Sequence, residues 1–282
     1  MLERIYVEIG NVCNLSCSFC HKTKREKRIM SVDEFKLIVS KIKNNVKYVY
    51  LHVLGEPLLH KDFPEILKIA SEKDLKICIT TNGTLLKLKG DYILNCGAVH
   101  KVSISLHAPE GNGKSELKDY LKSVVTFSKL AAEKGIYVVF RLWNEDSAEG
   151  KGQNTQNRFI EGFLKSEFTE AWTSHGKGIR LSKNIFLEYD GVFTWPANSA
   201  AMNAEEGFCY GVISQLGVLA DGTVVPCCLD ADGDVPLGNI FTQSFEEILN
   251  SKRLKDIKNG FLNGKVSEPF CQKCTFKNRF KK

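Results

Sequence analysis

Short runs of apolar and β-branched residues recur along the chain, separated by amphipathic, helix-like segments. The runs at Ile5 to Ile9, Tyr48 to Leu54, Leu75 to Thr80, Lys101 to Leu106, Ile136 to Leu142 and Asn184 to Tyr189 predict strands. Alternation of strand and helix predicts parallel strands joined by crossover helices. Ser31 with Glu34, and Asp62 with Glu65, each place an N-cap oxygen three residues before a carboxylate that can reach back to the cap amide. Helices are therefore expected over 31–45 and 62–73. Between Ser115 and Lys134, the apolar residues Leu117, Tyr120, Leu121 and Val124 fall at helical spacing and predict a stripe against the sheet. Glu145 to Gly152 and Gly176 to Gly178 read as loops.

Six such units suit an α/β fold of the open, partial (β/α)6 TIM-like barrel kind, with the ligand site at the carboxyl ends of the strands. After about Trp195 the pattern changes to short strand-like pieces, Asp221-Gly222 and Asp232-Gly233 turns and five more cysteines. This predicts residues 1–195 as the barrel and 196–282 as a small, cysteine-rich α+β module that a metal holds together.

With 282 residues, 43% of them hydrophobic, the chain can bury a sizeable core, which excludes a disordered polymer. A formal net charge of +6 suits an anionic substrate and falls well short of a nucleic-acid-binding tail. No apolar stretch approaches the roughly 18 residues of a membrane helix, and Met1-Leu2-Glu3-Arg4 passes straight into strand-like residues. A cytoplasmic protein with no membrane partner is expected. In that reducing compartment the ten cysteines read as metal ligands or buried thiols before disulfides.

Cys13, Cys17 and Cys20 follow the first strand as C-x3-C-x2-C. A closed zinc site needs a fourth ligand, and the adjacent His21 is a poor one though an available one. A [4Fe-4S] cluster normally takes four thiolates, so three leave one iron free for an exogenous ligand. Asn11-Val12-Cys13-Asn14-Leu15-Ser16-Cys17-Ser18-Phe19-Cys20 resembles the cluster-binding loop of the radical S-adenosylmethionine (radical SAM) superfamily, including the Cys-Asn-Leu tripeptide and the aromatic Phe19 before the last cysteine. The resemblance implies that S-adenosylmethionine chelates the open iron through its amino and carboxylate groups. An electron from the cluster then cleaves the sulfonium to a 5′-deoxyadenosyl radical that abstracts a substrate hydrogen.

Further positions follow the resemblance. Leu54-Gly55-Glu56-Pro57 is similar to the family's Gly-Gly-Glu-Pro segment, which holds the methionyl ammonium, with Leu in place of the first Gly. That departure makes the loop less permissive in its backbone angles, and a plain turn carboxylate is the alternative for Glu56. Ser105 after the fourth strand and Asn82 after the third stand where the family's small polar residues meet the cofactor. Turn chemistry competes equally for Asn82-Gly83. Arg141, a cation in an apolar strand, suits the methionyl carboxylate or a structural ion pair.

Cys209, Gly222 and Cys227 as C-x12-G-x4-C, then Cys271 and Cys274 as C-x2-C, resemble the start of the SPASM extension in its truncated, twitch form. The chain ends without the further cysteines of the full extension, so one auxiliary [4Fe-4S] cluster is expected, on Cys209, Cys227, Cys271 and Cys274. Cys228 competes with Cys227, and a tetrathiolate zinc site is the alternative occupant. Cys78 and Cys96 read as buried small residues.

Relatives with one auxiliary cluster oxidise or modify small molecules and peptides, so a small-molecule or peptide substrate and a flavodoxin- or ferredoxin-like electron donor are expected. The early first strand leaves no leader-binding domain ahead of it, so a peptide would come from a separate carrier. His52, Glu145, Asp146, His175 and Asp190 are candidate bases, each more readily an ordinary polar group. Trp195 reads as a core residue before a stacking one. The basic runs Lys22 to Arg28 and Phe276 to Lys282 can hold the phosphates of a nucleic acid, the less favoured reading, since charge runs are usually solvated faces. The competing class is a metal-stabilised, non-enzymatic sensor of redox state or iron that binds RNA.

Overall fold

The computed structural model describes residues 1–108, 117–144, 153–176, 178–191, 194–200 and 204–280. All six predicted strands are present: β1 (Leu2–Val7), β2 (Val46–Tyr50), β3 (Lys76–Thr81), β4 (Val99–Ser105), β5 (Tyr137–Leu142) and, after a hairpin of β6 (Thr173–His175) and β7 (Gly178–Ser182), β8 (Ile185–Tyr189). They run parallel in the order β1-β2-β3-β4-β5-β8. The crossovers carry α1 (Val32–Ile42), α2 (Phe63–Glu72), α3 (Leu86–Leu94), α4 (Leu117–Glu133) and α5 (Gln153–Glu167).

The C-terminal residues do not form a sheet of their own. β9 (Gln215–Val218) pairs parallel with β1, and β10 (Thr223–Val225) and β11 (Gly238–Asn239) follow antiparallel, extending one mixed α/β sheet. Three short helices, α6 (Phe245–Leu249), α7 (Lys252–Leu262) and α8 (Pro269–Gln272), then lead to the last cysteines.

Side chains alternate across the strands with a chemical consequence. Ile5, Val7, Val49, Ile77, Ile79, Val102, Ile104, Val138, Phe140 and Leu187 face one way and are fully buried in the main core with Phe35, Ile38, Phe63, Ile66, Leu121 and Val124 of the helices. Each such side chain contributes about 1.5–3 kcal/mol relative to exposure. Their neighbours Arg4, Tyr6, Tyr50, Thr80, Lys101, Ser105, Arg141 and Glu188 face the other way, into a cavity. A parallel sheet covered by helices on both faces reads as continuous apolar runs; here one face keeps its polar groups, which is where a ligand can use them.

The local signals vary in outcome. Ser31 and Glu34 form the expected capping box, Glu34 N donating to Ser31 Oγ at 3.2 Å and Ser31 N to Glu34 Oε2 at 2.8 Å. Asp62 and Glu65 do not, because Asp62 sits at φ −95°, ψ 24° and not in the extended conformation that aims a cap oxygen at the first turn. The helix nevertheless starts there. α3, α5 and the β6–β7 hairpin were not predicted. α5 opens on Gln153-Asn154-Thr155-Gln156 with Ile160 and Leu164 as its fully buried anchors, too sparse a stripe to read. α3 carries Gly90 in its middle, where the ring of Phe127 on α4 lies so close that a Cβ would stand 2.9 Å from it.

Candidate active site

The loop that leaves β1 is closed at its base by Asn11, whose Oδ1 accepts from Arg28 N at 2.8 Å and whose Nδ2 donates to Glu26 O at 2.8 Å. Above this pinch stand Cys13, Cys17 and Cys20. Cys13 Sγ accepts from Leu15 N at 3.4 Å and from Asn82 Nδ2 at 3.8 Å, and Cys17, the buried one, donates to Ala108 O at 3.6 Å. Burial, then the neighbouring thiols of Cys20 and Cys13, pushes the Cys17 thiol up to about 11. Three thiols held that way stay protonated until a metal centre takes their protons' place. His21 turns from them: its Nε2 meets Asp232 Oδ2 at 2.8 Å and its ring lies 5.3 Å from that of Trp195.

Gly55 has φ +77°, and a Cβ there would run into the carbonyls of Gly10 and Val12. With Glu56 N donating to Val12 O at 2.9 Å, this turn lies directly on the cysteine loop. Only Gly55 needs the left-handed conformation; Leu54 does not. The Leu-for-Gly departure is therefore accommodated, with Leu54 buried and its amide donating to Glu8 Oε1 at 3.2 Å.

Glu56 is not an exposed turn residue. Its buried carboxylate accepts from Leu58 N at 3.1 Å, Thr81 Oγ1 at 2.8 Å and Asn82 N at 2.7 Å, and Pro57 opens the 3-10 turn it caps. Burial raises its pKa to about 7 despite these donors. The folded state thus binds a proton here that the unfolded chain has released above pH 4.5. The metal-free protein should lose stability as pH rises from about 4.5 to 7 through this group, and thermal melting of Glu56→Gln should show a flatter profile over that window. An unchanged slope would refute the assignment.

Asn82 does two things at once. Its Oδ1 accepts from Thr84 N at 2.9 Å, which is turn chemistry, while Nδ2 reaches Asn14 Oδ1 at 2.9 Å and Cys13 Sγ. Tyr120 OH donates to its carbonyl at 2.8 Å from α4.

A cavity of about 780 Å³ opens beside the loop. Of the predicted residues, Phe19, Cys20, Ser105 and Arg141 line it, as do Cys209, Cys227, Cys271, Cys274 and the rival Cys228; Gly55, Glu56, Pro57 and Asn82 stand against the cysteine loop and off this wall. Arg141 has its guanidinium 4.4 Å from the Trp143 ring centroid, its Nε buried without a hydrogen-bond partner, and no carboxylate within ion-pair distance among the described residues. Burial lowers its pKa. The Phe19 ring lies 4.9 Å from that of His107, tilted by 52°, and His107, pushed down to about 4 by burial, is neutral. His107, Trp143, Lys101 and Glu188 were missed as wall residues, since nothing in a strand end marks which side chain faces a cavity.

Among the candidate bases, His52 lines the cavity with a partnerless Nδ1, yet burial lowers it to about 3. A base so weak has little drive to take a proton at neutral pH. His175 is exposed, its ring tilted against that of Phe186, and Asp190 is ion-paired to Arg279. Glu145 and Asp146 lie outside the described residues.

In the second group, Cys209 Sγ accepts from Gly211 N at 3.3 Å and Cys274 N donates to Cys271 O at 3.2 Å. Burial, then the thiols of Cys228, Cys209 and Cys271, pushes the Cys227 thiol well above its ordinary value. Cys228 instead packs with Tyr6 and Tyr50 on the sheet face. No three His, Cys, Asp or Glu side chains among the described residues close on one point as a single metal ion requires. Ligands to a four-iron cube are spread over separate irons and stand farther apart.

In the basic runs Lys22, Lys24 and Lys27 are exposed, as a solvated face would have them, while Arg25, Arg28 and Lys277 are engaged by the fold. Arg25 binds both oxygens of buried Glu8 at 2.8 Å, Arg28 donates to Ala220 O at 2.7 Å and pairs with Glu34, and Lys277 is buried. No helix among the described residues is long and apolar enough to cross a membrane.

Residues 209–275 match the SPASM model, an iron-sulfur cluster-binding domain. A probable GTP 3′,8-cyclase of Methanococcus maripaludis is 34% identical over 131 residues, 44% of this chain and 43% of the relative. That of Sulfolobus acidocaldarius is 32% identical over 111 residues, 38% and 35%. The alignments thus span less than half the length of these relatives. Among solved structures, BtrN in complex with AdoMet and 2-DOIA superposes with TM-score 0.63 at 17% identity, covering 98% of this chain and 93% of that one. Streptococcus suis SuiB bound to S-adenosylmethionine gives 0.60 at 16%, covering 92% and 68%. At such identities these likenesses show the fold. Residues 7–149, half of the chain, match the model of the radical SAM superfamily, and with the cysteine loop at the head of that segment the protein belongs to this superfamily of enzymes.

Proposed function

We propose that the protein is a radical SAM enzyme that oxidises or otherwise modifies a small molecule or peptide, with one auxiliary [4Fe-4S] cluster beside the substrate. The observation that carries this reading is the shared cavity: Cys20 of the first group and Cys209, Cys227, Cys271 and Cys274 of the second border the same space of about 780 Å³. A substrate there would lie between two iron-sulfur centres.

In this reading the six parallel strands form a partial barrel, residues 1–195 are the catalytic domain and 196–282 a twitch-type module. Cys13, Cys17 and Cys20 hold the first [4Fe-4S] cluster, and Cys209, Cys227, Cys271 and Cys274 the second, with Cys228 as the rival of Cys227 since both border the cavity. The first cluster, when bound with S-adenosylmethionine on its open iron, supplies the electron that cleaves the sulfonium and starts hydrogen abstraction.

The chain's own groups then have defined tasks. Arg141 offers a buried, unpaired Nε to a carboxylate. Ser105, its register partner on β4, adds a hydroxyl. Gly55 and the Glu56 amide fix the loop against the cofactor's methionyl end, and Asn82 buttresses Cys13. Phe19, Trp143, Tyr6 and Tyr50 keep water from the reacting carbon. BtrN is bound to AdoMet and 2-DOIA and SuiB to the precursor peptide SuiA, so both substrate classes suit this architecture. A flavodoxin- or ferredoxin-like donor in the cytoplasm completes the assignment.

The test is anaerobic reconstitution with iron and sulfide. The protein should carry two cubes, about eight irons per chain, and on reduction convert S-adenosylmethionine to 5′-deoxyadenosine and methionine. Zinc at both cysteine groups with no cleavage would instead favour the metal-stabilised sensor.

A further inference from the structure

We propose that Lys277 is a positioning residue of the C-terminal cysteine module, its ammonium holding the Cys271 to Cys274 turn and raising the reduction potential of the cluster bound there. This rests on the reading that the module carries an auxiliary [4Fe-4S] cluster. Lysine is almost never fully buried unless paired, yet Lys277 is only 5% exposed. Its Nζ donates to Gln272 O at 2.8 Å, Cys274 O at 3.1 Å and Cys271 O at 3.2 Å. Three carbonyl acceptors use all three protons of an ammonium. The acceptors belong to the two cysteines themselves and the residue after the first, so the group braces the turn that presents both thiolates.

The surroundings are shaped to admit this side chain. Gly207, at φ +143°, lies against its stem, and a Cβ there would stand 3.3 Å from Lys277 Cε and 3.5 Å from Cδ. Gly207 N donates to Gly264 O at 2.9 Å, which fixes that backbone in place. Lys277 also borders the cavity beside Cys209, Cys271 and Cys274.

The charge is left over after its hydrogen bonds are made. Carbonyl partners satisfy the protons without cancelling the charge, and among the described residues no carboxylate lies within ion-pair distance of Nζ. Two carboxylates act on Cys271 with the opposite sign: Glu268, whose charge is met by the guanidinium of Arg253 at 2.9 Å, and Asp230, bonded to the amides of Asp234 and Val235. Lys277 is the cation bonded directly to this cysteine turn, and its charge acts on the Cys209 thiol as well. Positive charge in a poorly hydrated setting favours the form of a cluster that has gained an electron.

The experiment uses the full chain with alanine at Cys13, Cys17 and Cys20, so that only the second cluster is titrated. After anaerobic reconstitution, its potential is read by EPR-monitored titration in the parent, Lys277→Gln and Lys277→Arg. Gln keeps a donor and loses the charge; Arg keeps both. The expected result is a lower potential for Lys277→Gln, by about tenfold in the reduction equilibrium or about 59 mV for one electron, with Lys277→Arg near the parent. Equal potentials in all three would overturn the proposal, as would loss of the cluster from both variants alike, which would make the lysine a steric staple. A parent that binds no iron would instead remove the auxiliary-cluster reading itself.

Discussion

Replacing Cys17 by alanine should abolish reductive cleavage of S-adenosylmethionine, while Cys271→Ala should leave part of it. The two cysteines sit in different modules and do different things. Cys17 is the buried member of a triplet that has no fourth protein ligand at hand among the described residues, His21 being committed to Asp232. Losing one of three thiolates leaves two, too few to hold a cube whose fourth iron must stay open. Cys271 lines the same cavity as Cys209, Cys227 and Cys274, and in the proposed assignment it serves the auxiliary cluster and not the cofactor. Its loss should remove about four irons and the substrate half of the reaction, while cleavage without substrate turnover continues. Both variants are read by 5′-deoxyadenosine formed per chain and by iron content. A Cys17→Ala protein that still forms 5′-deoxyadenosine at the parent rate would end the assignment of this loop.

The sequence reading reached the chemistry more securely than the geometry, for a physical reason. Cysteine spacing is written along one short loop, so C-x3-C-x2-C can be read with no knowledge of the fold. The six parallel strands were likewise legible, since each is a local run of β-branched and apolar residues. Which side chains line the cavity depends on pairing between strands far apart in sequence. Lys101 and Glu188 reach the same wall from β4 and β8, and nothing local marks either. Arg25 escapes a local reading on the same grounds, although Lys22, Lys24 and Lys27 around it are exposed as a charge run predicts. Arg25 looks like one of a solvated run until Glu8, seventeen residues earlier in the chain, is seen buried beneath it. For Glu56 an exposed turn carboxylate is the alternative that the sequence leaves open; the structure buries it, with Thr81 and Asn82 of the neighbouring strand end as its donors.

Arg25→Met should be the most destabilising charge substitution in the chain outside the cysteines. Glu8, fully buried at the end of β1, accepts both Arg25 bonds at 2.8 Å, Leu54 N at 3.2 Å and Ala220 N at 3.0 Å. One carboxylate thereby ties the cysteine loop, the Gly55 turn and the C-terminal module to the sheet. Arg25 also donates through Nε to Ala231 O at 2.7 Å. Burial holds the Glu8 pKa above its ordinary value even beside this guanidinium. Removing Arg25 leaves a buried charge with two amide donors and no counterion, a loss of roughly 3–5 kcal/mol. Glu8→Gln together with Arg25→Met removes both charges and should recover much of that loss, a coupling that a double-mutant cycle on thermal melting of the metal-free, reduced protein measures directly. Because the same residues join the two cysteine groups, Arg25→Met should also incorporate less iron at the second site than the parent, with the double variant in between. If Arg25→Met melts with the parent, or the double variant is no more stable than the single, the pair is an incidental contact and the join rests instead on β9 against β1 and on contacts such as His21 with Asp232.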